Sequence, residues 1–136
     1  GLGITLDKIK RQILQESDEN GHTLIIEYDN MPIGEMNYRN IQDYKVEIGI
    51  KICNPNYHEK GLGRIILSLF IKELFSMGFK VIILDTNVKN KRAQHIYELL
   101  GFKKIRVNTN SWKDQLGNLQ SSIDYELIEE NFKDYS

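Results

Sequence analysis

Two segments of the chain end in the same way. Residues 76–83 read SMGFKVII and residues 99–106 read LLGFKKIR. In each, a run with apolar residues at helical spacing stops at a glycine, Gly78 or Gly101, followed by a phenylalanine and a lysine. Glycine takes the left-handed position just past a helix end, and the next apolar residue folds back on the last turn. Two helices therefore feed directly into strands. This commits the chain to an α/β architecture in which helices pack on a sheet.

The remaining elements follow from periodicity. Leu6, Ile9, Ile13 and Leu14 in TLDKIKRQILQE predict a helix over 5–16 with Thr5 as its cap. TLIIEY (23–28) and IGEMNYR (33–39) read as a hairpin around DNMP. Over 44–53 the alternation is clean: Val46, Ile48, Ile50 and Ile52 face one way, Glu47, Gly49 and Lys51 the other. A helix is expected from about Gly63 to Met77, and a buried strand over 80–86. Asn90 is placed to cap a helix ending at Leu100, and two strands follow within 102–128. The order is helix, three strands, helix, strand, helix, two strands. It predicts a mostly antiparallel, mixed α/β sheet of about six strands with helices on both faces. The 136 residues fit a single domain, 1–136, with 1–4 and 129–136 expected to fray.

Charge narrows the function. Eighteen Lys and Arg stand against nineteen Asp and Glu, which gives no global attraction to nucleic acid or to a membrane surface. Cys53 is the single cysteine and reads as a small structural side chain; a lone thiol makes a reducing, cytoplasmic compartment the expectation. His22, His58 and His95 show no metal-ligand spacing, so no metal is expected. No apolar run reaches transmembrane length. The opening at Gly1 rather than Met reads as a processed or cut start.

The stretch NPNYHEKGLGR, residues 54–64, precedes the second helix. A helix N-terminus presents unpaired N–H groups and partial positive charge, and glycines let an anion come close to the backbone. Gly61 and Gly63 with Lys60 and Arg64 thus form a candidate phosphate cradle. No Gly-Lys-Ser/Thr follows, and Ile66 stands where a dinucleotide fingerprint has its third glycine. On these residues alone, a tight strand-to-helix turn is an equal reading.

The wider context resembles the GNAT superfamily of N-acetyltransferases over residues 23–128. His58-Glu59-Lys60-Gly61-Leu62-Gly63 is similar to the family's pyrophosphate motif, with His58 where Gln or Arg is usual. Asn90, Ala93, Tyr97, Gly101 and Phe102 meet the second motif, Asn-x-x-Ala-x-x-x-Tyr-x-x-x-Gly-Phe. The resemblance implies that the fourth and fifth strands splay apart and that acetyl-CoA lies between them. Its pantetheine would pair with backbone near Ile50, Lys51 and Ile52. Its pyrophosphate would sit on the N–H groups of Glu59, Lys60, Gly61, Leu62, Gly63 and Arg64, and Asn87 and Asn90 would reach the pantetheine arm. The family's usual first strand and first helix are absent from the pattern here.

Acetyl transfer to an amine needs a base, a donor to the thioester carbonyl and a proton for the departing thiolate. Glu47 is the candidate base: it faces away from the isoleucine stripe, fourteen residues before Gly61, where some members of the family carry a glutamate. The alternative is an ordinary strand carboxylate that faces solvent or pairs with Lys45 or Lys51. Tyr97, by its match to the motif tyrosine, is the candidate acid; the alternative is a core aromatic with its hydroxyl at the rim. The amide near Ile50 is the expected carbonyl donor, freed by a bulge at Gly49. Lys89, Lys91 and Arg92 form a basic run that is either solvated surface or an attractor for the 3′-phosphate.

With these residues, the resemblance implies direct N-acetyl transfer from acetyl-CoA to a primary amine in a ternary complex. The acceptor could be a protein N-terminus, a small amine or an aminoglycoside, and a homodimer is compatible with the reading. The alternative is a GNAT-like module that binds acyl-CoA without turnover.

Overall fold

The structure, a computed structural model, describes residues 9–16, 21–28, 31–52 and 62–136. Seven strands form one sheet: β1 (Ile9–Glu16), β2 (Gly21–Tyr28), β3 (Met31–Gln42), β4 (Lys45–Ile52), β5 (Val81–Asn87), β6 (Lys103–Lys113) and β7 (Leu119–Ile128). Their order across the sheet is β1-β2-β3-β4-β5-β7-β6. β4 and β5 are parallel, joined by the crossover helix α1 (Leu62–Ser76); every other pairing is antiparallel. A second helix, α2 (Lys91–Leu100), links β5 to β6.

The mixed, mostly antiparallel sheet is as the element order implies. The first predicted helix is not: residues 9–16 are extended and pair antiparallel with β2, while 5–8 lie outside the described residues. The Ile13–Leu14 doublet, which suggests helical spacing, coincides with a shift in the ladder between Ile13 and Gln15. Pairing to a neighbouring strand overrides weak helical propensity. With that helix gone, the second face carries no helix among the described residues.

Both α1 and α2 lie on the first face. Tyr38 sits opposite Ile48 in the β3–β4 ladder, and its ring meets Phe70 of α1 at 5.9 Å. Tyr125 sits opposite Leu84 in the β5–β7 ladder and meets Tyr97 of α2 at 5.8 Å. Val46 and Ile82 face each other across β4 and β5, which puts all these residues on the same side. One continuous core results, with Ile66, Leu67, Ile71 and Leu74 from α1 and Leu100 from α2 all buried against Met36, Ile48, Leu84 and Leu127.

Both helix ends carry the cap read from sequence. Gly78 and Gly101 have φ of 104° and 105°, and Phe79 and Phe102 donate back to Leu74 and Tyr97. The tail, expected to fray from its polar composition, is docked. After a 3-10 turn at Glu129–Asn131, Lys133 N–H donates to the Leu100 carbonyl at 2.9 Å. Phe132 meets Phe75 with ring centroids 6.0 Å apart. Lys72 pairs with Asp134 at 2.7 Å.

Candidate functional site

The β4–β5 ladder holds three residue pairs, Lys45↔Val81, Val46↔Ile82 and Glu47↔Ile83. Past that rung β4 stays with β3 as far as Ile52↔Gly34, and β5 stays with β7 as far as Asn87↔Ser122. The two strands therefore part, as the resemblance implies. The parting begins in the middle of each strand, so backbone groups of β4 beyond Glu47 lose their β5 partner. The expected bulge at Gly49 is not the cause: Gly49 pairs in register with Asn37. A Cβ there would come within 2.9 Å of the Asn37 amide, so the glycine makes room for that side chain instead.

A cavity of about 470 Å³ opens beside the gap on the helix face. That volume is typical of small-molecule clefts. Ile50 and Lys51 of β4 form one wall, and Gly63 and Leu67 of α1 a second. The third belongs to α2, from its cap Asn90 through Arg92, Ala93, Ile96 and Tyr97. Ala93, Ile96 and Tyr97 share a helical face by their spacing of three and four. Leu67 and Ile96 were not singled out in the sequence; the same spacing, counted from Gly63 and from Ala93, could have found them.

Asn90 caps α2, its side chain accepting from Ala93 N–H at 3.1 Å. This turns the last residue before the helix toward the cavity while its carbonyl accepts from Gln94 N–H. The buried Gln94 in turn donates to the Val88 carbonyl at 2.8 Å, locking the β5–α2 connection. Asn87 is engaged within the protein at both ends of its amide: it donates to Gln120 at 3.1 Å and accepts from Lys89 N–H at 2.9 Å. It braces the connection and does not line the cavity.

Tyr97 is buried, with its ring against Phe102 as well as Tyr125. Burial, then the nearby charge of Asp85, pushes its hydroxyl up to about 12. The phenol is therefore protonated throughout the neutral range and available as a donor.

Glu47 stands at the last rung of the β4–β5 ladder on the face opposite the cavity. It is bound neither to Lys45 nor to Lys51. Arg39, its partner across the β3–β4 ladder, donates to it at 2.9 Å, and both side chains are partly exposed. The structure does not bring Glu47 and Tyr97 to one cavity wall; the sheet lies between them.

Of the candidate phosphate cradle, Glu59, Lys60 and Gly61 lie outside the described residues, as do Cys53 and His58. Leu62 and Gly63 open α1. Among the described residues, a Cβ built on Gly63 would touch Ile96 alone, at an ordinary 3.7 Å. Arg64 is exposed in the first turn of α1, its guanidinium over the Tyr135 ring at 5.4 Å. Ile52 ends β4, paired with Gly34.

A family model described as "Acetyltransferase (GNAT) family" matches residues 4–102. Among curated proteins, the chain is 31% identical over 70 residues to the [Ribosomal protein bS18]-alanine N-acetyltransferase of Salmonella typhimurium. That match takes in 52% of this chain and 47% of the relative. The same enzyme of Escherichia coli K12 is 35% identical over 57 residues, 42% of this chain and 38% of the relative. The matches thus span less than half the length of these curated relatives. Among solved structures, a spermidine N-acetyltransferase SpeG chimera from Vibrio cholerae and hSSAT superposes with a TM-score of 0.75 at 21% identity, covering 83% of this chain and 72% of that one. The ribosomal-protein-S18-alanine N-acetyltransferase from Escherichia coli superposes with 0.71 at 22% identity, covering 82% and 71%. At these identities the structural likeness concerns the fold.

Proposed function

The chain belongs to the acetyltransferase (GNAT) family, and on that premise we propose that it transfers an acetyl group from acetyl-CoA to a primary amine by direct attack in a ternary complex. The observation that carries the reading is the parting of β4 from β5 after Glu47↔Ile83, with the protonated Tyr97 in the cavity beside it.

The residues present fit acetyl-CoA. Ile50 and Lys51 line the cavity and lie past the last β5 rung, so their backbone can pair with the amides of a pantetheine arm. Gly63 and Arg64 in the first turn of α1 offer N–H groups and a cation to phosphate. Arg92 is a second cation on the cavity wall. When bound, the thioester supplies an already activated acetyl group.

An amine acceptor with a pKa of about 10 arrives protonated and must lose a proton before it attacks. In this reading Glu47, at the vertex of the splay and open to the face opposite the cavity, takes that proton directly or through water. Arg39 holds its carboxylate in place at 2.9 Å. The backbone N–H near Ile50 is the donor for charge developing on the carbonyl oxygen. Tyr97 then meets the departing sulfur. Its pKa of about 12 exceeds the roughly 8.5 of a free thiol, so its first contribution is a hydrogen bond to the thiolate, with the proton following as the sulfur is desolvated.

The relatives' names carry two acceptors, an alanine of ribosomal protein bS18 and spermidine. Both present a primary amine, which is the class proposed here. A cytoplasmic setting goes with this reading, where acetyl-CoA and reduced thiols coexist. The test is calorimetry with acetyl-CoA followed by thiol release over a panel of peptide and small amines. Tight binding with no release over the whole panel would favour the alternative, a module that holds acyl-CoA without turnover.

A further inference from the structure

The tail runs antiparallel to α1, toward its N-terminus. Phe132 packs on Phe75, Asp134 pairs with Lys72, the Tyr135 N–H donates to Ser68 Oγ at 3.1 Å, and the Tyr135 ring lies under Arg64. Arg64, Ser68 and Lys72 are four residues apart, so they form one stripe along the helix. Ser68 is fully buried, which makes its hydroxyl a fixed point rather than a surface contact. Burial works against the charge of Asp134, but hydrogen bonds from Lys72 and Ser136 outweigh it and hold the carboxyl below its ordinary pKa. The tail is thereby anchored one turn before it reaches Arg64.

An arginine in a first helical turn is long and free to rotate, and ordering it costs rotamer entropy. A ring beneath the guanidinium holds it without offering an acceptor oxygen in that contact. Among the described residues no carboxylate bonds Arg64 either. The cation is therefore held in place with its N–H donors still available to an anion.

We propose that Tyr135 is a positioning residue for the phosphate end of the site: it presets Arg64 at the mouth of α1 for the pyrophosphate of CoA. The inference rests on the reading of the α1 N-terminus as the phosphate cradle.

The test is the dissociation constant of CoA, measured by calorimetry on the full chain, with pantetheine as a probe that lacks phosphates. Tyr135→Leu should weaken CoA about two- to five-fold, the equivalent of an exposed cation–π contact. It should leave pantetheine binding and kcat at saturating acetyl-CoA unchanged. Tyr135→Phe should bind CoA like the parent. In an Arg64→Ala background, Tyr135→Leu should have no further effect. If Arg64→Ala weakens CoA and Tyr135→Leu does not, or if Tyr135→Leu weakens it equally without Arg64, the positioning role is overturned. If Arg64→Ala itself leaves CoA binding unchanged, the phosphate reading of this helix end fails first.

Discussion

Tyr97 and Tyr125 meet ring edge to ring face at 5.8 Å, one from α2 and one from β7, and both hydroxyls are pushed up to about 12. Burial is the main cause at each; the Glu98 carboxylate, 2.9 Å from the Tyr125 hydroxyl, adds to it there. Two tyrosines out of seven should therefore ionise late in a spectrophotometric titration. The sign follows from linkage: the unfolded chain ionises tyrosine near pH 10, so between about pH 10 and 12 the folded form binds more protons. The stability these groups contribute is present below pH 10 and is lost as pH rises toward 12. Denaturant midpoints measured across that window should fall. In Tyr97→Phe the fall should be shallower; an unchanged slope would show that Tyr97 titrates normally.

The two candidate proton-transfer groups should separate kinetically. Glu47→Gln removes proton acceptance and keeps shape, so kcat should drop about 10²–10⁴-fold and recover as rising pH frees the amine. Tyr97→Phe should cost a similar factor without that recovery. Acetyl-CoA binding should survive both changes. Full activity of Glu47→Gln at neutral pH would move the base to water or another carboxylate.

Gly63 offers a clean test of the cradle. A Cβ at this position meets Ile96 at an ordinary 3.7 Å and no other described residue, so Gly63→Ala should fold normally. Gly63→Val adds bulk where backbone must meet an anion. Its acetyl-CoA affinity should fall at least ten-fold while its melting temperature stays within a few degrees of the parent. Equal affinity would place the phosphates elsewhere.

The two ends of α2 should differ in sensitivity. Asn90→Ala loses one cap hydrogen bond and should cost about 1 kcal/mol in chemical denaturation. Gly101→Ala should cost more than the ~1–2 kcal/mol of a left-handed alanine. A Cβ at this position would run into the backbone carbonyl of Asn131, which has no flexible side chain to move aside. Equal costs would show that the tail gives way freely.

What sequence could show here depended on where the determining force was local. Glycine caps, the Asn90 cap and the 46/48/50 alternation are local chemistry, and each was readable. The strand at 9–16 is fixed by partners in β2 that no spacing within the segment reveals. Tyr97 could be singled out because its motif spacing coincides with an inward helical face. Glu47 was legible as to face but not as to partner, because Arg39 lies eight residues away across a turn. Tyr135 was invisible for a related reason. A polar tail looks unable to pay for its own ordering, yet a buried serine and a line of cations on α1 were waiting for it.

Three rungs between β4 and β5 make the sheet two sub-sheets that share a short seam. Within each sub-sheet neighbouring strands are held by long ladders; across the seam, cohesion falls to those rungs, to α1 and to the core beneath. A molecule lying in the gap and pairing with exposed β4 backbone would become part of the sheet itself. Its binding free energy would then be indistinguishable from the protein's own cohesion, about 2.7 kcal/mol at a hundredfold excess over Kd. In that sense the sheet is left unfinished at its centre, with room for one more strand-like partner beside β4.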